Sequence, residues 1–211
     1  MMKRLLVLVT VIALLATAVV AKDGTWAIYG LSVPAPEHND TFDNGIGIEG
    51  QYRLPVAKDL EIGFMLGLNR WEADSYDFSS RCLNVHVGGD VTDLSVGVGL
   101  LWKLPIELPE GFCLSLEGNA KHHLLSSDVD VDIYAQGLPS LSNELQYDNL
   151  TTVGLGANLE IDMEKDIAVL FGVGYQLDIG KEDVKLAGFK LPLRNGLEGV
   201  VFKAGIVIKT P

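Results

Sequence analysis

The chain has 211 residues, room for one domain of ordinary size. Its formal charge of −12 argues against nucleic acid as a partner. Two cysteines, Cys82 and Cys113, are too few for the disulfide framework of a small secreted domain.

The chain opens MMKRLLVLVTVIALLATAVVA. Lys3 and Arg4 form a basic start, an apolar run follows, and Val19 and Ala21 suit the small-residue pocket of a signal peptidase. Residues 1–21 therefore read as a secretory signal peptide, with Lys22 as the first mature residue and 22–211 as one domain. An N-terminal anchor is the alternative, but the run is short for a spanning helix, which needs about 20 apolar residues. Without Lys3 and Arg4 the charge becomes −14. Mean hydropathy is nevertheless +0.25, high for so acidic a protein. Hydrophobicity spread along the chain without a spanning helix is what a membrane β-barrel shows, because its apolar residues come at every second position.

Residues 24–33 (GTWAIYGLSV) read as a first strand whose alternation is too poor to say which face Trp26 or Tyr29 takes. Pro34 and Pro36 break the chain into a loop. Over 42–54 the pattern is clear: Ile46, Ile48, Tyr52 and Leu54 share one face, and Gly45, Gly47, Glu49, Gln51 and Arg53 the other. A turn at 55–59 leads into 60–71, where Leu60, Ile62, Phe64 and Leu66 oppose Glu61, Gly63, Met65 and Gly67. Counting back from that turn sets Arg53 opposite Glu61. Residues 72–91 form a long polar segment. Strand 92–104 sets Leu94, Val96, Val98, Leu100 and Trp102 against Ser95, Gly97, Gly99 and Lys103. After a turn at 105–111, strand 112–125 sets Leu114, Leu116, Ala120 and Leu124 against Ser115, Glu117, Asn119, Lys121 and His123. A second long segment, 126–147, precedes strand 148–162, where Val153, Leu155 and Leu159 oppose Gly154, Gly156, Asn158 and Glu160. A turn at 163–166, a strand at 167–178, a third long segment at 179–195 and a strand at 196–209 complete the chain. The last strand sets Val200, Phe202 and Ile206 against Gly199, Lys203 and Gly205.

The reading yields eight strands, with short connections after the second, fourth and sixth and longer ones elsewhere. Each strand is long enough to cross a bilayer at a tilt, which needs about 9–11 residues. This is the layout of an outer-membrane barrel: an all-β, eight-stranded antiparallel up-and-down transmembrane barrel with its apolar faces turned to lipid. Tyr52, Trp102 and Phe112 then fall near the short-turn rim as an aromatic girdle, with Tyr147 and Tyr175 toward the other rim. The inward faces carry Glu49, Arg53, Glu61, Glu117, Lys121 and Lys203, and glycines there leave them room. Buried charges must pair, so the interior reads as a plug of ion pairs and not as a pore. On this map Cys82 and Cys113 lie near opposite ends, and no disulfide is expected.

In this pattern, though not in any sharp motif, the chain resembles the small outer-membrane barrels of the OmpA transmembrane, OmpX and opacity-protein kind. The resemblance covers everything after residue 21. It implies a Gram-negative cell-surface protein, integral to the bacterial outer membrane. Partners would be outer-membrane lipid, lipopolysaccharide, the barrel-assembly machinery and a surface partner reached through the loops. Such proteins usually end in an aromatic residue, whereas this chain ends Lys209, Thr210, Pro211. No OmpA-type peptidoglycan-binding domain is expected after the barrel.

Three stretches invite a chemical reading. Some small barrels are lipid A deacylases with a His-x-Ser pair at the rim; here His123 is followed by Leu124, Leu125 and Ser126, so the spacing fails, and Glu144 is a weak candidate for the orienting acid. Asp128, Asp130 and Asp132 resemble the opening of a calcium loop, but the sixth and twelfth positions hold Ile133 and Pro139 where Gly and Glu are needed. Lys181, Lys185, Lys190 and Arg194 make the last long segment basic, and Val184, Leu186, Phe189 and Leu191 flank Ala187–Gly188 as a hairpin would. The sequence reading is thus a barrel without enzymatic activity, cofactor or metal, acting through its loops in envelope integrity, adhesion or stress resistance. A soluble lipocalin-like barrel with its apolar faces inward is the alternative, and a lipid A-modifying enzyme a more distant one.

Overall fold

The computed structural model describes residues 24–35, 44–80, 83–135, 141–179, 182–186 and 189–209. The segment read from sequence as a signal peptide, Cys82, Pro139 and Lys181 lie outside them. All regular structure among the described residues is β: β1 (Thr25–Val33), β2 (Gly45–Ala57), β3 (Leu60–Ser79), β4 (Leu83–Lys103), β5 (Phe112–Ser127), β6 (Asp130–Ala135), β7 (Leu141–Tyr147), β8 (Leu150–Glu164), β9 (Ile167–Ile179), β10 (Glu182–Leu186), β11 (Phe189–Asn195) and β12 (Gly199–Lys209).

Eight of these close into an antiparallel ring in the order β1-β2-β3-β4-β5-β8-β9-β12, with β12 pairing back onto β1. They correspond to the eight strands read from the sequence. Paired residues can be followed once round, from Thr25 to Arg53, Gly63, Gly99, Asn119, Gly154, Gln176 and Gly199. Continuing the register of β12 on β1 returns the path near Ala35, ten residues above its start. Each row of paired residues therefore climbs the wall from β1 toward β12, as the strand tilt of a closed barrel requires. The short connections at 58–59, 104–111 and 165–166 gather at one end, together with Thr25 and Lys209.

At the other end the wall continues upward on one side only. β3 and β4 stay paired to Ser79 and Asn84. β6 then adds to β4, β7 to β6, β10 to β7 and β11 to β10. The segments 72–91 and 126–147, read from sequence as a long polar segment and a second long segment, are thus largely strand, and Asp130 and Asp132 lie on a strand extension. Above the barrel mouth no strand separates lipid from lumen, so the pattern that marks the ring strands stops there although the backbone pairing persists. The third long segment does carry a hairpin, β10–β11, with Ala187 and Gly188 outside the described residues. The partner of β4 changes from β5 to β6 at Gly89, which has φ +132°. A Cβ there would stand 2.1 Å from the Asp128 carbonyl oxygen, so only glycine fits. Asp128 N donates to Asp90 O and Leu145 N to Val129 O beside this kink, both at 2.9 Å.

Candidate functional site

Alternation along each strand gives the ring two unlike surfaces. The outer one is apolar and open: Ile48, Leu68, Val98, Leu155, Phe171 and Phe202 are exposed large hydrophobics. The inner one buries Glu49, Gln51, Arg53, Asn69, Asp93, Glu117, His123, Asn158 and Lys203. A soluble lipocalin-like barrel would have these faces reversed, and that alternative is set aside.

The lumen fills in storeys. Next to the short turns, Arg53 Nη1 pairs with Glu160 Oε1 across the barrel, and its Nε donates to Gln51 Oε1 at 2.7 Å. Lys103 pairs with Glu61 at the same level. Midway up, Lys121 pairs with Glu49, which also accepts the Tyr29 hydroxyl at 2.6 Å. Lys203 Nζ donates to Glu117 Oε2 at 2.7 Å and sits 5.1 Å from the centre of the Tyr29 ring. Asn158 and Asn119 donate to the two oxygens of Glu117 at 2.9 and 3.0 Å. A cavity of about 30 Å³ beside Glu117, Lys121, Gln176 and Lys203 has room for about two waters. Higher again, His123 Nδ1 lies 2.8 Å from Asp93 Oδ2 and its Nε2 lies 3.0 Å from Thr152 Oγ1, while Asn69 donates to Asp93 at 2.7 Å. The mouth is closed by an apolar layer that includes Trp71, Val91, Leu125, Leu150 and Leu197. Trp71 Nε1 donates to Pro34 O at 2.8 Å, and Gln176 to Leu197 O, so these side chains are pinned from both walls.

All six charges read from the sequence as inward-facing do point into the lumen, but their partners differ from the simple count. Arg53 lies opposite Gly63, because β2 runs on to Ala57 and the turn is only 58–59, so Glu61 falls opposite Pro55; a bulge between Pro55 and Ala57 keeps Arg53 and Gly63 on the same face. Its carboxylate is Glu160, and Glu61 goes to Lys103. Lys103, Glu160, Asp93 and Tyr29 belong to the network without being among those six. Parity alone places Lys103 and Glu160 inward, so the signal for them is present in the sequence. Tyr29 is hidden there because β1 is apolar on both faces.

Of the five girdle aromatics, Trp102, Phe112 and Tyr175 are exposed on the outer surface. Tyr52 is also on the outward side, yet only 2% exposed. The Trp26 ring lies over it at 4.7 Å, and Gly24 is packed against its hydroxyl end. Tyr147 is not on the belt at all: it lies on β7 and packs onto the apolar cluster at the mouth.

The remaining candidates fall as follows. His123 is oriented by Asp93, and the backbone of Glu144 pairs with Asp130 in the extension. The Thr152–His123–Asp93 chain is buried throughout, at most 3% exposed. Asp130 and Asp132 lie on β6 with Asp128 just before it. Among the described residues no group of three His, Cys, Asp or Glu is placed to hold a metal ion. Lys185 pairs with Asp148 at 2.6 Å. Cys113 has a free thiol.

No protein-family model and no curated protein sequence matches the chain. Among solved structures, the crystal structure of Neisserial surface protein A is similar over 90% of this chain and 97% of its own, at 14% identity and a TM-score of 0.50. Ail of Yersinia pestis aligns over 88% of this chain and 99% of its own, at 16% identity and a TM-score of 0.43. A major outer membrane protein of Thermus thermophilus aligns over 88% and 98%, at 10% identity and 0.47. Identities this low speak to the fold alone, and the first of these likenesses carries it: the chain has the fold of a small outer-membrane β-barrel.

Proposed function

We propose that this chain is an integral surface protein of a bacterial outer membrane, closed to solute flow, which acts through its raised sheet in envelope integrity, adhesion or stress resistance. The observation that carries this reading is the inverted ring. An apolar outer wall surrounds an interior in which Glu49, Glu61, Glu117 and Glu160 each have their own cation. In water such a wall would be an exposed hydrophobic patch far beyond what a soluble monomer carries. In a bilayer it is the required surface, and ring closure leaves no strand edge unpaired within the hydrocarbon.

The raised sheet is the part that can meet a partner. It rises from β3 and β4 and shares the apolar cluster of the mouth through Val129 and Leu145, so it is seated on the barrel and held in one orientation. The remaining partners in this reading are outer-membrane lipid, lipopolysaccharide and the assembly machinery that inserts the strands. Neither an enzyme activity nor a cofactor is part of it.

The test is cell fractionation followed by detergent extraction, with gels of unheated and boiled samples. The protein should fractionate with outer membranes, resist salt washing and migrate faster when unheated. Recovery in the soluble periplasmic fraction without detergent would overturn the reading.

A further inference from the structure

The outer wall is hollowed in one place. Above Leu116, the outward residues of β5 are Gly118 and Ala120. They floor a groove of about 690 Å³, within the usual range of about 300–1,000 Å³ for small-ligand sites. Its lower side is the pairing row Ile62, Leu100, Gly118, Leu155 and Tyr175; its upper side is the row that runs from Val98 to Leu177.

Barrel geometry does not demand the glycine at its floor. A Cβ on Gly118 would meet only Leu155 Cδ2, at an ordinary 3.5 Å. By contrast, one on the inward-facing Gly205 would stand 2.1 Å from the Ile28 carbonyl oxygen. What the absent side chain does at Gly118 is open the wall.

The direction of the groove follows from the register. Rows climb from β1 toward β12, so this one starts low, at Ile62 just past the turn at 58–59, and ends high at Tyr175 on β9. It crosses four strand spacings, about 19 Å, against about 15 Å for one half of a bilayer's hydrocarbon core. Its high end is polar. The Tyr175 hydroxyl donates to Glu198 at 3.0 Å, and the next outward row carries His122 and Thr151, hydrogen-bonded at 3.1 Å. His122 is ten residues up β5 from Phe112, which at the tilt of such a barrel matches the roughly 25 Å height of the apolar belt.

We propose that this groove seats one acyl chain of a phospholipid, with the head group at its high end beside Tyr175 and Glu198. The length, the apolar lining and the single polar end fit one chain entering from the outer interface. The Glu198 carboxylate favours an ammonium head, so the lipid class is a phosphatidylethanolamine. The proposal rests on the membrane reading above.

The test titrates the purified full chain in mild detergent with phosphatidylethanolamine and counts retained lipid by native mass spectrometry. Wild type should retain one lipid per chain. Gly118→Leu and, independently, Leu155→Trp should fill the groove and weaken retention at least tenfold, while Ile48→Trp on β2 leaves it unchanged. Equal retention by both filled variants would overturn the proposal, as would no retention by wild type. So would a lipid-free dimer that Gly118→Leu dissolves, since a second copy would then own the groove. Unheated gels run first: a wild type that never folds into bilayers fails the surface-barrel reading, and a folded wild type with no bound lipid fails this proposal alone.

Discussion

Breaking the Glu117–Lys203 pair tests whether the lumen is a structural plug. Glu117 is 1% exposed and Lys203 9%, and their atoms meet at 2.7 Å midway along the barrel. Lys203→Met leaves the carboxylate buried with two amide donors, Asn119 and Asn158, and no hydrogen-bonded cation. Removing one partner of a buried pair typically costs about 3–5 kcal/mol, and the two amides place this variant near the lower end, about 3 kcal/mol. Glu117→Gln leaves the ammonium facing an amide oxygen and the Tyr29 ring, and should cost about 2–3 kcal/mol. The double variant removes both charges and should lose no more than the worse single. That sets a coupling energy of about 2–3 kcal/mol. Urea unfolding from phospholipid vesicles, followed by tryptophan fluorescence and gel mobility, would measure all four proteins. Singles within about 0.5 kcal/mol of wild type, or strictly additive losses, would refute the claim that this pair holds the barrel's shape.

Further outcomes follow from the same geometry. Purified protein in planar bilayers should give no stepwise ohmic conductance of porin size, because the ion pairs and the Trp71–Leu150 layer fill the bore; such steps would show a bore that opens. Val98→Arg or Leu155→Arg should cost about 2–4 kcal/mol of folding into bilayers if those positions face the midplane, and an unchanged folding yield would place them elsewhere. Gly205→Ala must push on the backbone of Ile28 and Tyr29 and should lower unfolding midpoints clearly, whereas Gly50→Ala, with nothing within 4 Å of the added carbon, should not; equal effects would contradict the register of β12 on β1. Gly89→Val should loosen the raised sheet, read as faster proteolysis above the mouth, while leaving the heat-dependent gel shift of the ring intact.

The ring is legible in the sequence because each of its strands separates two solvents. Over β2, β3, β4, β5 and β8 one face is apolar and the other carries glycine, amides and charge, so parity alone assigns inside and outside. Where the two environments converge, the signal goes. β1 has Ala27, Tyr29, Leu31 and Val33 inward and Trp26 and Ile28 outward, and no alternation marks it. β6 and β7 are short and stand above the ring, with Val131, Leu145 and Tyr147 turned to the apolar cluster at the mouth, so each carries too few residues to mark a strand by itself. Ion-pair partners are the least legible. Arg53 and Glu160 are 107 positions apart, and Glu117 and Lys203 are 86. Which wall faces which is set by closure and by the ten-residue climb of the rows, and both are global properties of the ring. Even the local Arg53–Glu61 pairing fails, because β2 continues through Pro55 to Ala57 and the turn is two residues long.

The way the lumen is filled bears on how such a chain can display a surface at all. A barrel plugged only by ion pairs would be closed in the middle and loose at the mouth, with its upper strands hinged on the last ring hydrogen bonds. Here the filling changes character with height: charges below, the Asn69–Asp93–His123–Thr152 cluster above them, then apolar side chains at the mouth. That last layer does two things. It excludes water from the charges beneath it, which strengthens their pairing. It also accepts Val129, Leu145 and Tyr147 from beyond the ring, so the first residues of the raised sheet are buried in the same cluster that seals the bore. Loosening the sheet therefore has to expose part of the seal. Coupling of this kind lets strands outside the membrane draw their stability from the barrel without a domain core of their own, and it makes the orientation of the surface they present a property of the whole fold.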